Sequence, residues 1–473
     1  MFEKKVLPKK SENFSEWYHR LALEADLAEY APVRGCVIFK PYGFSIWEEI
    51  QRRLDQKIKE FGAKNCYFPL FIPERFLQKE KEHVEGFSPE LAVVTIAGGE
   101  KLKERLVVRP TSETIMYDAF SRWIKSWRDL PFKINQWANV VRWEKRPRIF
   151  LRTTEFLWQE GHCCYATEKE SATETLKALR MYESFLKENL SLVGIAGKKS
   201  EFEKFPGAKD TFTVEGLMPD KKALQLCTSH DLGQKFSKAF GIKFLDKQGK
   251  ENYVWQNCWG LSTRVLGALI MTHGDDNGLI LPPKVAPVQV VVVPILGKNK
   301  TRVLKKAKEL KERLKAFRVE VDEREKVSVG FKFNEWELKG VPLRIELGEK
   351  ELKEKGVTLV RRDTFEKFFV KEKEILGKVT DLLQELQKSL LKKAQKFLKE
   401  NVREANSFAN FQEKIKQGFV LAFWCERESC KIKIKEATQA TDRCLPLNAK
   451  PKRGRCIFCK KNAKYQWVFA KAY

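Results

Sequence analysis

Nothing in this chain looks built to enter or cross a membrane. Its longest apolar run, Val290 to Leu296, is far too short to span a bilayer. The first thirty residues lack an apolar h-region and carry several acids, so neither a secretory signal nor an ordinary transit peptide is expected. Internal repeats and low-complexity tracts are missing too, which leaves ordinary globular domains. An even cysteine count is also lacking. There are 11 cysteines, and those before residue 260 are scattered singly or doubly. That pattern argues against a disulfide framework and for reduced thiols in a cytoplasmic protein.

What is present is size and positive charge. A length of 473 residues suggests three domains, at roughly 150 residues each, and 43% apolar residues can supply large cores. The net charge of +27 is concentrated in the second half, in Lys298 to Lys315, Lys388 to Lys399 and Lys450 to Lys464. Such a field fits a polyanionic partner, most plausibly nucleic acid.

Periodicity divides the chain. Ile46 to Phe61 predicts an amphipathic helix stopped by Gly62. An apolar strand over Cys66 to Ile72 is interrupted by Pro69, which belongs at an edge or bulge, often near another chain. Strand-like runs follow at Leu91 to Ile96, Leu106 to Arg109, Ile134 to Arg142, Phe150 to His162, Thr211 to Val214 and Ala223 to Thr228. Their close spacing predicts an α+β unit over 1–284, built on a mainly antiparallel sheet. Prolines 282, 283 and 287 mark a boundary. Beyond it, strand–helix alternation predicts an α/β domain over 285–385 with a partly parallel sheet. A long charged helix, about Val370 to Val402, then leads into a small cysteine-rich α/β unit over 386–473.

Four of those cysteines have metal-ligand spacing. Cys425-x4-Cys430 and Cys456-x2-Cys459 are two close thiol pairs separated by 25 residues. Tetrahedral zinc needs four soft ligands, and short paired spacings let each turn supply two. All four positions are filled by sulfur, so such a metal is structural. Cys444 has no close partner and is left out.

The densest chemistry lies in Val140 to His162. On extended strands Arg142 shares a face with Glu144, and Arg152 shares one with Trp158, Glu160 and His162. Fixed charge beside an aromatic wall suits a phosphate and a small polar ligand together. Arg109-Pro110-Thr111-Ser112-Glu113 opens a helix from Glu113 to Trp123; Thr111 or Ser112 as an ordinary N-cap competes with Thr111 and Glu113 facing a cleft. Thr228-Ser229-His230-Asp231 is equally ambiguous, since it could cap a helix from Asp231 to Phe240. Arg264, in an otherwise apolar stretch after Trp259-Gly260-Leu261-Ser262-Thr263, needs an anion that a triphosphate would supply.

Together these segments resemble class II aminoacyl-tRNA synthetases. Arg142-x-Glu144 to Arg152-x-x-Glu155-Phe156 is similar to their second signature motif. Gly62 to Phe71 looks like the first, which forms a dimer interface, and Gly260 to Gly267 with Arg264 looks like the third. Arg109 to Glu113, Phe156 to His162, Thr228 to His230 and Lys332 to Pro342 resemble the prolyl enzymes, in the archaeal and eukaryotic-like form with an anticodon-binding domain and a C-terminal zinc domain. The resemblance implies a cytoplasmic homodimeric proline–tRNA ligase that uses ATP, Mg2+ and structural Zn2+, with L-proline and tRNA(Pro) as its partners. It implies that Thr111, Glu113, Arg142, Trp158, Glu160, His162 and His230 surround proline. Arg142, Glu144, Arg152, Thr153, Gln225, Thr228, Ser262 and Arg264 would hold ATP, with Arg142, Arg152 and Arg264 catalytic, and Tyr473 would dock near the cleft. Between Thr167 and Ala223 there is no room for a large editing insertion. A homologue that only binds RNA would be marked by loss of Arg142, Arg152 or Arg264, and all three are present.

Overall fold

The computed structural model describes residues 5–77 and 91–473. Its spine is an 11-stranded sheet. The central strands run Ile195–Lys198, Asp210–Leu217, Ala223–Gly233, Trp255–Ser262, Glu155–Tyr165, Phe132–Val141, each antiparallel to the next. Lys64–Asn65 pairs in parallel at one edge.

Alternation along the Glu155–Tyr165 strand sorts its side chains between two environments. Cys163 and Tyr165 enter a large core shared with the helix Glu168–Leu190, whereas Cys164 enters a second core with Met116, Tyr117 and Phe120 of the helix Glu113–Trp123. The first of these helices is set by a capping box between Thr167 and Glu170 and ends at Ser191 in the left-handed region. It buries Leu179, Tyr182, Phe185 and Leu186 against the sheet. The sheet therefore has one packed face and one half-covered face, and the second leaves room for a cavity.

The α/β domain carries a five-stranded sheet ordered Val319–Val321, Val290–Pro294, Leu343–Leu347, Gly356–Arg361, Lys367–Lys371. The first three strands are parallel and the rest antiparallel. Val290–Pro294 and Leu343–Leu347 are buried at every position, as the nearly continuous apolar runs require. The long helix runs Ile375–Glu400 and starts later than the charge pattern suggests, because Lys367–Lys371 is taken up as an edge strand.

The C-terminal segment does not stand apart from the catalytic sheet. Its strand Thr441–Pro446 pairs with Ile195–Lys198, aligning Leu445 with Lys198 and Pro446 with Gly197, so the sheet runs on through Tyr465–Ala470, Phe419–Trp424 and Val402–Glu404. The approach is close enough that a Cβ on Gly197 would lie 2.6 Å from the Cys444 sulfur. Buried Glu215 ties the seam, accepting from Lys199 Nζ at 2.8 Å and from Arg443 Nε and Nη2 at 3.0 and 2.8 Å.

Three local expectations are corrected. Cys66 to Ile72 is not one strand: only Phe71–Pro73 is extended, and Pro69 lies in the connection from Lys64–Asn65. The Phe150 to His162 run becomes a strand only at Glu155, since Phe150 is left-handed (φ 59°) and Arg148 bridges back to Arg152 in a tight turn. The helix expected from Asp231 is confined to Lys235–Phe240, with Thr228 to Asp231 in mid-strand.

Candidate active site

A cavity of about 330 Å³ opens on the half-covered face of the sheet. Thr111, Glu113, Arg142, Trp158, Glu160, His162, Gln225, Thr228, His230, Ser262 and Arg264 all line it. Strand order explains the convergence, because residues far apart in sequence lie on neighbouring strands: Trp158 opposes Ser262, Glu160 opposes Gly260, and Thr228 lies beside Gly260 on the other side. Gly161 has a steric reason. A Cβ there would sit 2.2 Å from the Trp259 ring, so only glycine lets the indole lie under the cavity floor.

One end is acidic and densely hydrogen-bonded. Ser112 leaves the helix start uncapped by its side chain and instead donates its hydroxyl to Glu160 Oε1 at 2.5 Å, beside Gln136 Nε2 at 2.9 Å. Glu113, at the first helical position, accepts from the Thr111 hydroxyl. The His162 ring lies between the Tyr117 hydroxyl (Nδ1, 3.1 Å) and Glu160 Oε2 (Nε2, 3.1 Å). His230 contacts Thr211 and Thr228 hydroxyls at 2.9 and 3.1 Å and packs 4.8 Å from the Phe205 ring. Desolvation, and next the neighbouring His162, pull His230 down to about 3, so it is neutral near pH 7.

The other end is cationic. Arg142 follows directly after the Phe132–Val141 strand, donates from Nε to the Pro110 carbonyl at 3.0 Å and lies over the rings of Trp158 and Phe156 at 5.5 and 5.6 Å. Arg264 starts the helix Arg264–His273 and donates from Nε to the Leu151 carbonyl at 3.3 Å. Among the described residues neither has a carboxylate at ion-pair distance. Burial, and next the charges of Arg142 and Arg152, bring Arg264 down to about 10. Arg264 thus feels two neighbouring guanidinium groups, an arrangement that an anion would relieve.

Glu144, Arg152 and Thr153 do not line the cavity. The tight turn that breaks the strand at Phe150 also breaks the period-two argument that put Arg152 on one face with Trp158. Arg152 is exposed and pairs with Glu144 at 3.5 Å, while the Thr153 hydroxyl donates to the Glu155 carbonyl at 2.7 Å. Sequence reasoning also missed several walls: Glu203 to Pro206 in a loop, Thr211, and Cys258, which the antiparallel register alone brings opposite His162. Tyr473 reaches the sheet beside the cavity. Its N–H donates to the Ala223 carbonyl at 3.3 Å, and its ring lies under Arg148 and Lys222 at 5.6 and 5.1 Å.

The four C-terminal sulfurs also come together. Cys425, Cys430, Cys456 and Cys459 all lie within 4.8 Å of one another, with Cys425 3.6 Å from both Cys430 and Cys459. Tetrahedral zinc at about 2.3 Å from each sulfur sets sulfurs about 3.8 Å apart, so the cluster fits. Cys444 lies elsewhere, in the seam against Gly197.

Comparison with known proteins agrees along the whole chain. Residues 95–273 match the tRNA synthetase class II core domain (G, H, P, S and T), 289–382 the anticodon binding domain, and 408–473 the prolyl-tRNA synthetase C-terminal domain. A proline–tRNA ligase of Natranaerobius thermophilus is 49% identical over 478 residues, covering 100% of this chain and 99% of the relative. One from Clostridium novyi is 50% identical over 465 residues, covering 98% and 97%. The crystal structure of prolyl-tRNA synthetase from Cryptosporidium parvum, complexed with halofuginone and AMPPNP, superimposes with a TM-score of 0.93 at 40% identity, covering 99% of this chain and 97% of that one. By sequence, domain order and fold, the chain belongs to the prolyl-tRNA synthetase family of class II aminoacyl-tRNA synthetases.

Proposed function

We propose that the chain activates L-proline with ATP and transfers the prolyl group to the 3′ end of tRNA(Pro). The observation that carries this is the polarity of one cavity: bare guanidinium groups at one end, and a desolvated pocket of Glu113, Glu160 and neutral His230 at the other. An imino acid has the matching polarity. Its ammonium would sit among Thr111, Glu113, Glu160 and His162, its ring against Trp158, and its carboxylate toward Arg142. Arg264 and Arg142 would hold the nucleotide's phosphates, with Gln225, Thr228 and Ser262 around it, and Glu144, Arg152 and Thr153 closing over it from the adjoining turn.

The proline carboxylate attacks the α-phosphorus in line, the bond to the β-phosphate oxygen breaks, and prolyl-adenylate and pyrophosphate form. The tRNA's terminal ribose hydroxyl then displaces AMP. Two anions must be brought together while charge builds on phosphate, so positioning and preorganised cations do the work rather than acid–base groups. Arg142 suits this, since the Pro110 carbonyl and two aromatic faces fix its plane before substrate arrives. Magnesium, which neutralises phosphate charge when bound, would arrive on the nucleotide, because among the described residues the arginine end has no cage of carboxylates.

Zinc at Cys425, Cys430, Cys456 and Cys459 would stabilise the C-terminal segment and leave no open position for chemistry. A homodimer is supported by the segment resembling the first motif, where Tyr67 and Phe71 are exposed apolar side chains. Residues 168–222 form one helix and two strands of the catalytic sheet, which supports the absence of a cis-editing insertion. Among the described residues no helix is long and apolar enough to cross a membrane; a cytoplasmic setting is part of the same proposal.

The test is ATP–pyrophosphate exchange across the amino acids. Exchange with proline is expected; exchange with another amino acid alone would overturn the specificity, and none with any would favour an RNA-binding role.

A further inference from the structure

The imino-acid end of the cavity contains a metal-ligand set in which Cys258 has no part in the reaction proposed above and Glu113 and His162 are shared with it. Register puts Cys258 directly opposite His162 on one neighbouring strand and opposite His230 on the other. The three side chains form a row across the sheet on the cavity face. Glu113 reaches the row from the start of its helix. A Glu113 oxygen, a His162 ring nitrogen and the Cys258 sulfur all lie within 4.8 Å of one another, and all three residues are buried. Zinc ligands at about 2.0–2.3 Å from the ion lie roughly 3.3–3.8 Å apart, so a small inward movement of each side chain closes the set.

The surroundings favour this. Tyr117 holds His162 Nδ1 at 3.1 Å, which leaves Nε2 as the ligating nitrogen, now 3.1 Å from Glu160. The Thr111 hydroxyl donates to Glu113 Oε2 and fixes the carboxylate's orientation. Ligands oriented by outer hydrogen bonds are what metal sites require. The Glu113 carboxylate and a Cys258 thiolate, its proton released to solvent, neutralise a divalent ion; without one, burial and the charges of Glu113 and Glu160 hold the Cys258 thiol well above its usual range. Three protein ligands leave the fourth position facing the cavity.

We propose that Glu113, His162 and Cys258 bind Zn2+ in competition with proline, making the imino-acid pocket a metal-inhibited site. The competitor's identity rests on the function proposed above; the ligand set does not. The full-length protein, with its C-terminal zinc loaded and excess removed, is titrated with Zn2+ and with Co2+. A second ion per chain is expected, with a thiolate-to-cobalt absorption band that saturating proline suppresses. Exchange should show an apparent KM for proline raised about tenfold or more at unchanged kcat, reversed by mild chelation. C258A should lose both the second ion and the zinc sensitivity measured against its own basal rate, and E113Q should weaken binding of the second ion. A single equivalent in the unmodified protein, or a second ion that persists undiminished in C258A, would overturn the site. Failure of the functional reading would look different: no proline-dependent exchange before any metal is added, with the metal count still readable.

Discussion

Arg264, two residues past the strand Trp255–Ser262, and Arg443, within the strand Thr441–Pro446, flank the same sheet, yet their surroundings are opposite. Arg443 places two nitrogens on Glu215 at 3.0 and 2.8 Å, and Lys199 completes the cluster. In the α/β domain Arg344 is likewise forked onto Glu346 and bonded to Glu337. Arg264 and Arg142 hydrogen-bond only to carbonyls, Leu151 and Pro110, and no carboxylate of the described residues forks onto either; burial, and next the charges of Arg142 and Arg152, weaken the proton on Arg264. A paired arginine stabilises the fold, whereas an unpaired one in a cavity destabilises it until a ligand arrives. Where the chain leaves cations unmatched, substrate charge completes the site.

That contrast breaks most sharply under mutation. Arg264→Ala should lower kcat/KM for proline-dependent exchange by about 10²–10³, the cost of removing one preorganised donor, while the melting temperature stays level or rises because an unmatched charge has gone. A parallel loss of stability and activity would show that Arg264 is structural after all. Glu215→Gln should do the reverse. With Lys199 and Arg443 left without their anion, unfolding free energy should fall by about 3–5 kcal/mol, measured by denaturant titration, with the residual folded enzyme still active in exchange.

Acid should reproduce that second effect without mutation. Burial alone would raise the Glu215 carboxyl, but Lys199 and Arg443 outweigh it and bring it from 4.5 to about 2. A depressed folded-state pKa means that the unfolded chain binds the proton more readily. The stabilisation is therefore complete above pH 4.5 and is lost as pH falls toward 2, and Glu215→Gln should flatten that part of the stability curve.

Much of this was legible in sequence, and what was not has a common cause. Alternation found the strands, and the helix Glu113–Trp123 lies where the Pro110-Thr111-Ser112 start put it. Eleven of the proposed ligand-binding residues line one cavity because residue types that serve charge and shape are hard to hide in a sheet. Three others lie outside that cavity: the strand before them ends at Val141, and Phe150 in the left-handed region breaks the period-two pattern ahead of Arg152 and Thr153. Thr228-Ser229-His230-Asp231 has the composition of a helix cap and lies in mid-strand, since pairing with both neighbours outweighs a local cap. Cys258 and the seam at Gly197 depend on register between distant segments, which one sequence does not display.

The effect least visible at neutral pH concerns His230, whose environment resembles neither arginine's: it is polar-bonded, desolvated and next to another imidazole. Its pKa lies near 3 in place of 6.5, so between those values the unfolded chain takes up a proton that the folded chain refuses. The stabilisation is complete above pH 6.5 and declines as pH falls. His273, held at about 4 chiefly by burial, acts in the same direction from the far side of the sheet. His230→Gln should therefore remove only part of the slope between pH 6.5 and 4. Its imidazole resonances in the unmodified protein should stay in the neutral form at pH 5, and proline-dependent exchange should show no inflection near 6.5 attributable to this residue. An imidazole that titrates near 6.5 would mean that the cavity around it is wetter than its hydroxyl partners Thr211 and Thr228 imply, and that the polarity separating the two ends of the site is set by substrate rather than by the fold.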